Sequence, residues 1–380
     1  MAQFSVPCSV YRGGTSRGLF FHKKDLPQDV PTRNRIFLEG IDCYNASQVN
    51  GLGGATSSTS KVCVVSPSTR EGADVDWTFY QLGVAEAVID EKGTCGNLMA
   101  GVGAFTVDEG LVEVDPAADK KDVFVYNTNI KKILHMEIPV VNGRAKVSGD
   151  YLMPGVVTPG AMFRVSIVNP GGEMTGQLLP LGERYKVTTD KATYEVTFSD
   201  LINPFIFVAA QAAGLTGTET SGAVAANQEV LDELNFIRDK IAVIAGMAKD
   251  EQDARQNKPN VPKIAMIAPA QDYVTICGEQ IKKEDVDILI KVISLGKLHR
   301  TSPASGLYNL AAETFIQGTI PHQIAGIQQG AGESAVRIGH PEGIVEVCVT
   351  LAADGSSIKK VGMKRTARRI MKGELFIPVT

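Results

Sequence analysis

The sequence predicts an α/β protein built from two similarly folded halves, and three observations support this prediction. Short apolar runs that end at glycine-rich turns indicate strands in the first half. A segment that begins near Cys95 is apolar all round and rich in small residues, as expected of a helix that is buried on every side. Three segments of the first half are echoed, in the same order, about 190 to 210 residues later.

The individual elements follow from these patterns. Alternating and apolar runs predict strands of the first half at residues 4–11, 18–22, 61–65, 75–81 and 121–127. A charged stretch predicts a helix over residues 227–240, with a neighbour that continues to residue 249. Residues 150–183 are rich in Pro and Gly, which is typical of a connection between domains. We therefore expect domains at residues 1–183 and 184–380.

The echoes between the halves involve three kinds of segment. Each pair shares a feature: a lysine that opens an apolar strand ending at proline, a strand-turn-strand, and a small residue plus glycine before a helical run. The pairs are Lys61–Pro67 with Lys263–Pro269, residues 12–26 with residues 201–215, and Cys95–Gly96 with Ser305–Gly306. Their shared order favours two homologous halves, with a cleft expected between them.

Composition and charge exclude several classes of function. The chain has 380 residues, 44% of them hydrophobic, and a formal net charge of -4, which gives no reason to expect nucleic acid as a partner. Its six cysteines form no CxxC pair, so we interpret them as reduced thiols and expect no metal. No signal peptide or apolar membrane span is evident, which predicts a cytoplasmic protein without a membrane partner.

The segment TCGN, residues 94–97, predicts an anion site at the start of the buried helix. Thr94 or Cys95 stands where an N-cap belongs, so the backbone N–H groups of Gly96 and Asn97 would point out of the helix. Such a helix start attracts a carboxylate and lowers the pKa of a thiol placed on it. The alternative is that Cys95 is one more buried small hydrophobe.

The segment NGLGGATSSTSK, residues 50–61, superficially resembles a phosphate-binding loop. It departs from that pattern because no glycine precedes the lysine and no hydroxyl residue follows it. Its N–H and O–H groups, with Gly54 and Ser57 among them, are still suited to hold carboxylate oxygens, and Lys61 would open the next strand. For Lys61 the alternative is a solvated strand end.

Two further segments carry polar groups on turns. In YRGGTSRG, paired glycines permit a tight turn that leaves Thr15 and Ser16 free to donate hydrogen bonds. Arg12 would then either pair with an anion or serve a simple hairpin turn. In the second half, His299 and Thr301 precede a helix start at Ser305, and a lone histidine is more often structural than catalytic.

Five motifs in order resemble the PrpF and methylitaconate delta-isomerase family, which has the diaminopimelate epimerase fold. They are RGGTSRG, GLGGATSSTSK, TCGNLMAGVGAFTVDEG, LGKLHRTSPASG and VRIGHPEG, and together they cover nearly the whole chain. The resemblance implies two α/β domains, each with a sheet wrapped around a central helix. It also implies an active site in the interdomain cleft, where the two helix starts converge.

The resemblance implies an isomerase of a small unsaturated di- or tricarboxylate, such as methylitaconate, methylaconitate, oxalomesaconate or aconitate. By this similarity Lys61 and Cys95 match acid/base positions, in an order that remains open, and Ser16 and His299 match active-site positions. No cofactor signature is evident in the sequence, so we expect a cofactor-independent shift of a proton and a double bond. The predicted substrate-binding residues are Thr15, Gly54, Ser57, Gly96, Asn97, Thr301, Ser305 and Gly306.

Two departures from the family pattern matter. Arg17 stands where the family often has lysine, so a contact there differs in geometry. Ser305 stands where related epimerases place a second cysteine, which disfavours an amino-acid epimerase because a hydroxyl is a far weaker acid than a thiol. The alternatives that remain are an epimerase or racemase and a non-catalytic accessory protein of an aconitase-like enzyme. A homo-oligomer, either dimer or tetramer, is the expected assembly.

Overall fold

The computed structural model of the protein describes residues 3–294, 296–328, 332–353 and 357–379. Leu295, the first residue of the motif LGKLHRTSPASG, lies outside the described residues. The chain forms two compact units. The first unit comprises Met1–Val168 and Met363–Thr380, and the second comprises Asn169–Gly362.

The first unit begins with strands that match the predicted ones to within a few residues. Its strands up to the unit boundary are β1 (Gln3–Gly13), β2 (Ser16–His22), β3 (Lys61–Pro67), β4 (Val75–Leu82), β5 (Ile89–Asp90), β6 (Lys120–Asn127), β7 (Lys132–Val141), β8 (Arg144–Ala145) and β9 (Phe163–Val168). Its helices are α1 (Val30–Ile41) and α2 (Leu98–Asp108). The five strands predicted in this half are therefore confirmed.

The second unit contains more helix than the first. Its strands are β10 (Tyr185–Thr188), β11 (Thr193–Leu201), β12 (Asn203–Ala209), β13 (Lys263–Pro269), β14 (Tyr273–Val274), β15 (Gln280–Ile281), β16 (Ile288–Ser294), β17 (Lys297–Leu298), β18 (Glu333–His340) and β19 (Gly343–Leu351). Its helices are α3 (Ser221–Ala226), α4 (Gln228–Ile244), α5 (Glu251–Asn257), α6 (Ala304–Glu313) and α7 (Ile320–Ala325). Strand β20 (Ile358–Arg365) begins in the second unit and ends in the first. The last strand of the chain, β21 (Ala367–Pro378), belongs to the first unit.

The two units share one order of strand pairing. In the first unit the strand order across the sheet is β21–β1–β2–β3–β4–β6–β7. The pairs β2–β3 and β4–β6 are parallel, and the other four pairs are antiparallel. In the second unit β10, β11, β12, β13, β16, β18 and β19 repeat the same series. The prediction of two topologically similar halves is therefore confirmed, and the lysine-led strands of the echo are β3 and β13.

Each unit wraps its sheet around one central helix, as predicted. In the first unit every residue from Leu98 to Val107 of α2 is buried, because the helix packs against strands on several sides. In the second unit Gly306 to Glu313 of α6 are buried in the same manner. The small residues of the two helices allow this enclosure, since a bulkier helix would force the strands apart.

The boundaries differ from the predicted ones in two places. The first unit ends at Val168 rather than at residue 183, because β9 completes its sheet by pairing with β7. Residues of the C-terminus return to this unit because β21 pairs antiparallel with β1 along its length. The helix predicted over residues 227–240 is α4, which Asn227 caps by accepting from the Val230 N–H. The neighbour predicted to continue to residue 249 is not a separate helix, because α4 itself continues to Ile244 and α5 begins at Glu251.

Helix α1 was absent from the sequence-based expectations, although its start carries a recognisable signal. Asp29 caps the helix by accepting from the Thr32 N–H at 2.9 Å, and Pro31 occupies the first turn. Among the described residues, no helix combines the length and the apolar character that crossing a membrane requires.

Candidate active site at the start of the central helix

The turn between β1 and β2 lies directly on the start of α2. Gly13 passes so close that a Cβ placed on it would lie 2.5 Å from the carbonyl oxygen of Asn97. Gly14 adopts a positive φ of 53°, which the turn requires and which glycine tolerates. Arg12 holds this turn through its Nη1, which donates to the Gly14 oxygen at 2.9 Å and to the Thr366 oxygen at 3.0 Å. Of the two expectations for Arg12, the structure favours the hairpin turn over the anion.

The start of α2 lies two or three residues later than predicted. The helix begins at Leu98 with Asn97 in the N-cap position, instead of being capped by Thr94 or Cys95. Thr94 does not cap the helix, since its hydroxyl accepts from Asn127 Nδ2 at 3.0 Å. The residues Cys95, Gly96 and Asn97 therefore form the approach to the helix, and the first N–H groups of α2 remain without partners inside the helix.

Asn97 connects the helix start to the β1–β2 turn. Its Nδ2 donates to Thr15 Oγ1 at 3.0 Å and to Ser16 Oγ at 3.5 Å. This explains why its side chain does not cap the helix. The structure thus brings the predicted residues Thr15, Ser16 and Asn97 together.

Cys95 lies against the same serine. Its Sγ is 3.8 Å from Ser16 Oγ, and both side chains are buried. A thiol beside a hydroxyl at a helix start can give or take a proton while the hydroxyl reorients its own hydrogen. Cys95 is thus buried, as the alternative expectation had it, but its sulfur faces a polar group.

Lys61 is buried rather than solvated. It opens β3 with only 8% of its surface exposed, which contradicts the solvated strand end. Its Nζ donates to Gln81 Oε1 at 2.5 Å. Gln81 is the residue directly opposite Lys61 on β4. Lys61 Nζ also lies 5.2 Å from the centroid of the Phe79 ring. An amine held in this way has one fixed partner and little freedom to turn away.

Strand β3 carries a second buried polar group, the thiol of Cys63. Cys63 follows Lys61 by two residues on β3, so the two side chains share a face of the strand. Burial raises the pKa of the Cys63 thiol well above its usual value, contact with Trp77 lowers it, Cys95 raises it and Lys61 lowers it.

The loop that precedes Lys61 is organised by Gln48, a residue that the sequence did not single out. Its Oε1 accepts from the N–H groups of Gly54 at 2.8 Å and Ala55 at 2.7 Å. Its side chain also bonds with Ser60 Oγ. Contrary to expectation, the Gly54 N–H is thus committed within the protein instead of being free for a substrate. Ser57 is exposed on this loop.

The side chains of Gln81 and Arg17 also hydrogen-bond to this loop. Gln81 Nε2 donates to the carbonyl oxygens of Ser57 at 3.0 Å and Ser60 at 2.9 Å, so Gln81 ties Lys61 to its own loop. Arg17, which departs from the family pattern, donates to the Gly53 oxygen at 3.0 Å. The motif RGGTSRG therefore holds the motif GLGGATSSTSK in place.

The remaining predicted residues lie in the second unit, around the start of α6. His299 Nδ1 accepts from the Thr301 N–H at 3.1 Å, so the proton of the neutral ring is on Nε2. Ser305 and Gly306 occupy the first turn of α6, close to the predicted helix start. Arg300 pairs with Glu342 at 2.9 Å and so connects the motifs LGKLHRTSPASG and VRIGHPEG.

One group of possible metal ligands was found among the described residues, away from these positions. The ligand atoms of Asp122, His135 and Glu137 lie within 4.8 Å of one another on β6 and β7. His135 Nε2 bonds with Asp122 Oδ1 at 2.8 Å, and Glu137 pairs with Lys120 at 3.4 Å. These charges are thus balanced by protein groups, and we assign no metal to them.

Comparisons with known proteins agree with the motifs. A sequence model of the PrpF protein family matches residues 3–378. The chain is 38% identical to the 3-methylitaconate isomerase of Eubacterium barkeri over 99% of this chain and 98% of that protein. It is 33% identical to the 2-methyl-aconitate isomerase of Shewanella oneidensis, with the same coverage of 99% and 98%.

A solved structure gives the same answer for the fold. The crystal structure of a methylitaconate-delta-isomerase superposes with a TM-score of 0.93 at 36% identity, covering 100% of this chain and 97% of that one. A family model that spans nearly the whole chain, together with relatives above 30% identity at full coverage, identifies the protein by sequence. The chain belongs to the PrpF family.

Proposed function

We propose that this protein is an allylic isomerase that moves a proton, and with it a C=C bond, on a small unsaturated di- or tricarboxylate. The relatives are named as isomerases of 3-methylitaconate and 2-methyl-aconitate, which supports the reaction class. The observation that carries the mechanism is the Cys95 thiol 3.8 Å from the Ser16 hydroxyl at the approach to α2, on a strand, β2, that pairs with the strand opened by the buried Lys61.

The chemistry begins at a carbon next to a double bond that is conjugated with a carboxylate. Removal of a proton there gives a dienolate, whose charge spreads onto a carboxylate oxygen. The unpaired N–H groups at the start of α2 and the Ser16 hydroxyl can stabilise that oxygen, because they are fixed before the charge develops. Return of a proton to the far end of the allylic unit completes the isomerisation.

Lys61 and Cys95 share the two proton transfers in this proposal. Lys61 supplies the amine of the pair, and its hydrogen bond to Gln81 Oε1 fixes the direction of Nζ. Cys95 gives or takes the second proton beside Ser16. Which group acts first stays open. His299, Thr301, Ser305 and Gly306 stay predictions as further active-site residues.

Turnover in deuterated water tests the mechanism. We expect NMR to show deuterium at an allylic carbon when itaconate-type substrates are isomerised, and Lys61→Ala to lower kcat by about 10²–10⁴-fold. The matched control is Lys263→Ala, which changes the lysine that opens β13 and donates to the Asn260 oxygen at 2.8 Å. Full activity in Lys61→Ala would overturn the assignment of Lys61.

The same assay in deuterated water, run on a panel of unsaturated di- and tricarboxylates and on amino acids, separates the alternative functions. An epimerase would incorporate deuterium from the solvent at the chiral carbon of an amino acid without moving a double bond. An accessory protein would isomerise no unsaturated acid by itself. Among methylitaconate, methylaconitate, oxalomesaconate and aconitate, the substrate with the highest kcat/KM identifies the physiological class.

We also propose that the enzyme is a cytoplasmic homo-oligomer that needs neither metal nor organic cofactor. The absence of cofactor motifs in the sequence supports the second statement, and the symmetry of most soluble oligomers supports the first. Dialysis against a strong chelator should leave kcat unchanged, whereas a loss that added divalent metal restores would contradict the proposal. Light scattering gives the assembly.

A further inference from the structure

The turn between β6 and β7 has no part in the mechanism above, but it bonds to residues beside both candidate acid/base groups. This 127–131 turn (Asn127 to Lys131) begins with a fully buried side chain. The Oδ1 of Asn127 accepts from the N–H groups of Asn129 at 3.1 Å and Ile130 at 3.0 Å. One oxygen therefore shapes the turn, and the Asn127 Nδ2 and the whole Asn129 amide remain for other partners.

Two bonds of this turn reach the segment that leads to Cys95. Asn127 Nδ2 donates at 3.0 Å to the hydroxyl of Thr94, the residue directly before Cys95. Asn129 Nδ2 donates to the Glu91 oxygen at 2.7 Å. The segment lies between β5 and the approach to α2 and belongs to neither a helix nor a strand. These two bonds therefore fix the path of the chain just before the thiol.

The same turn holds the ring beside the Lys61 amine. Strands β4 and β6 pair up to Trp77 and Asn127. Beyond that point the Asn129 side chain replaces the strand, since its Oδ1 accepts from the Phe79 N–H and its Nδ2 donates to the Phe79 oxygen, both at 2.8 Å. Phe79 is buried, and its ring centroid lies 5.2 Å from Lys61 Nζ. Asn129 is thus bonded on both sides of the proposed site.

A connection between two antiparallel strands can be closed by its own backbone. The two asparagines instead reach partners 33 to 50 residues earlier in the chain. Proton transfer at the two ends of one allylic unit needs two groups at a set spacing, because a misplacement of about 1 Å costs about 100-fold in rate. The bonds of this turn meet that requirement on both sides.

We propose that Asn127 and Asn129 are positioning residues that fix the Cys95 thiol relative to the Lys61 amine for the two proton transfers. This inference rests on the proposed function. Asn127 acts on the thiol through Thr94. Asn129 acts on the same segment through Glu91 and on the surroundings of the amine through Phe79.

The fate of the dienolate in deuterated water tests the proposal. The dienolate takes up a deuteron either at the carbon that lost the proton, which regenerates labelled substrate, or at the far end of the allylic unit, which gives product. The ratio of labelled substrate to product, measured by NMR at low conversion, reports how well the second group is placed. This ratio does not depend on the amount of folded enzyme, so partial unfolding of a variant cannot imitate the effect.

Thr94→Val removes the acceptor of the Asn127 bond with little change of shape. We expect it to change the ratio by about 10- to 100-fold, upward if Cys95 delivers the second proton and downward if it removes the first. Thr94→Ser keeps the hydroxyl and should retain the wild-type ratio. The matched control is Asn227→Ala, which removes the cap of α4 in the second unit and should leave the ratio unchanged.

Asn129→Asp gives a second, independent test. It keeps an acceptor for the Phe79 N–H but replaces the donor with an oxygen that faces the carbonyl oxygens of Phe79 and Glu91. We expect kcat to fall by about 10-fold or more while KM changes less, because the groups that react are displaced and substrate binding is not.

The outcomes separate the two proposals. If the wild-type protein isomerises no acid of the panel, the proposed function fails. If it isomerises one of them, an unchanged ratio in Thr94→Val overturns the role of Asn127, and an unchanged kcat in Asn129→Asp overturns that of Asn129. A shift in Asn227→Ala as large as that in Thr94→Val would also contradict the positioning role. The proposed function would stand in each of these last three cases.

Discussion

The two units share a frame but use the lysine that opens their third strand differently. In the first unit Lys61 is buried, and its Nζ points to Gln81 on the neighbouring strand. In the second unit Lys263 is partly exposed, and its Nζ donates to the Asn260 oxygen of the loop just before it. The first arrangement presents an amine beside other reactive groups, whereas the second only fastens a loop.

The turns that pass over the central helices differ in the same way. In the first unit the turn is made of glycines and leaves Thr15 and Ser16 to face Asn97. In the second unit the turn contains Ile202 at a φ of 71°, a conformation that a β-branched residue rarely adopts. Its N–H donates to Glu173, and Asn309 Nδ2 donates to the oxygen of Asn203 at 2.9 Å. Side chains hold both turns, Arg12 the first and Glu173 and Asn309 the second. The first turn in addition presents the hydroxyls of Thr15 and Ser16 to Asn97.

The central helices differ as well. Helix α2 carries no ionisable group in its buried part, where Thr106 is the polar residue, whereas α6 carries the fully buried Glu313. Ser199 Oγ donates to Glu313 Oε1 at 2.6 Å. Duplication has thus preserved the strands and divided the tasks, with proton chemistry proposed in the first unit and buried polar structure in the second.

The largest effect is expected from substitution of Cys95, the candidate acid/base thiol of the first unit. Cys95→Ser should lower kcat by about 10²–10⁴-fold, because a hydroxyl at this position is a far weaker acid than a thiol. Cys348→Ser, which changes a buried thiol on β19 of the second unit, should leave kcat unchanged. If NMR turnover showed the same loss of kcat in both variants, the proposed division of roles between the two units would be contradicted.

A smaller effect is expected from Glu313, and it concerns stability. Burial raises the pKa of Glu313 to about 8 from 4.5, and the Ser199 hydrogen bond lowers it. The folded protein therefore keeps a proton that the unfolded chain releases above about pH 4.5. The stability contributed by this group is present at low pH and is lost as the pH rises through about 8, by on the order of 3–5 kcal/mol in all.

Glu313→Gln keeps a polar group of similar shape and removes the ionisable carboxyl. The stability of this variant should therefore decrease less between pH 5 and pH 8 than that of the wild type. Urea unfolding midpoints between pH 5 and pH 8, at about one-unit steps, measure the slope. The exposed Glu229 on α4 provides the control, because Glu229→Gln should leave the slope as in the wild type. Identical slopes for Glu313→Gln and the wild type would show that Glu313 is ionised in the folded protein.

The smallest effect is expected from the loops that each unit holds with one side chain. Gln48 Oε1 binds the N–H groups of Gly54 and Ala55, and the Glu219 carboxylate binds those of Thr216 at 2.6 Å and Gly217 at 2.9 Å. Gln48→Ala should destabilise the protein by about 2 kcal/mol, because it removes the hydrogen bonds of the buried Gln48 side chain to Gly54, Ala55 and Ser60.

Glu219→Gln keeps one acceptor oxygen and should cost about 1 kcal/mol. Thermal unfolding followed by the fluorescence of Trp77 compares the two variants. A larger loss in Glu219→Gln would reverse the order expected from the number of bonds removed.

The sequence was sufficient for the parts of the molecule that depend on local pattern. The strands of the first half, the buried helix after Cys95 and the repeat of lysine-led strands all follow from apolar periodicity and spacing. The N-cap was misplaced because Thr94 bonds to Asn127, a partner more than 30 residues away that no local rule identifies.

The side chains that hold the site were not predictable for a similar reason. Gln81 reaches Lys61 only because the β3–β4 register places the two residues opposite each other. Gln48 lies in a turn at a φ of 50°, and its role depends on the path of the loop that follows. The return of β21 to the first unit gave no local signal either, since it depends on pairing with β1 across the whole chain.

That return has a consequence for how the protein is made. Strand β1 is synthesised first, but one of its edges is covered by β21, which leaves the ribosome after the entire second unit. During translation the first unit therefore presents an open strand edge until the second unit has been completed. An uncovered strand edge is a template for pairing with other chains, so nascent copies of this protein are most exposed to aggregation before their last residues emerge.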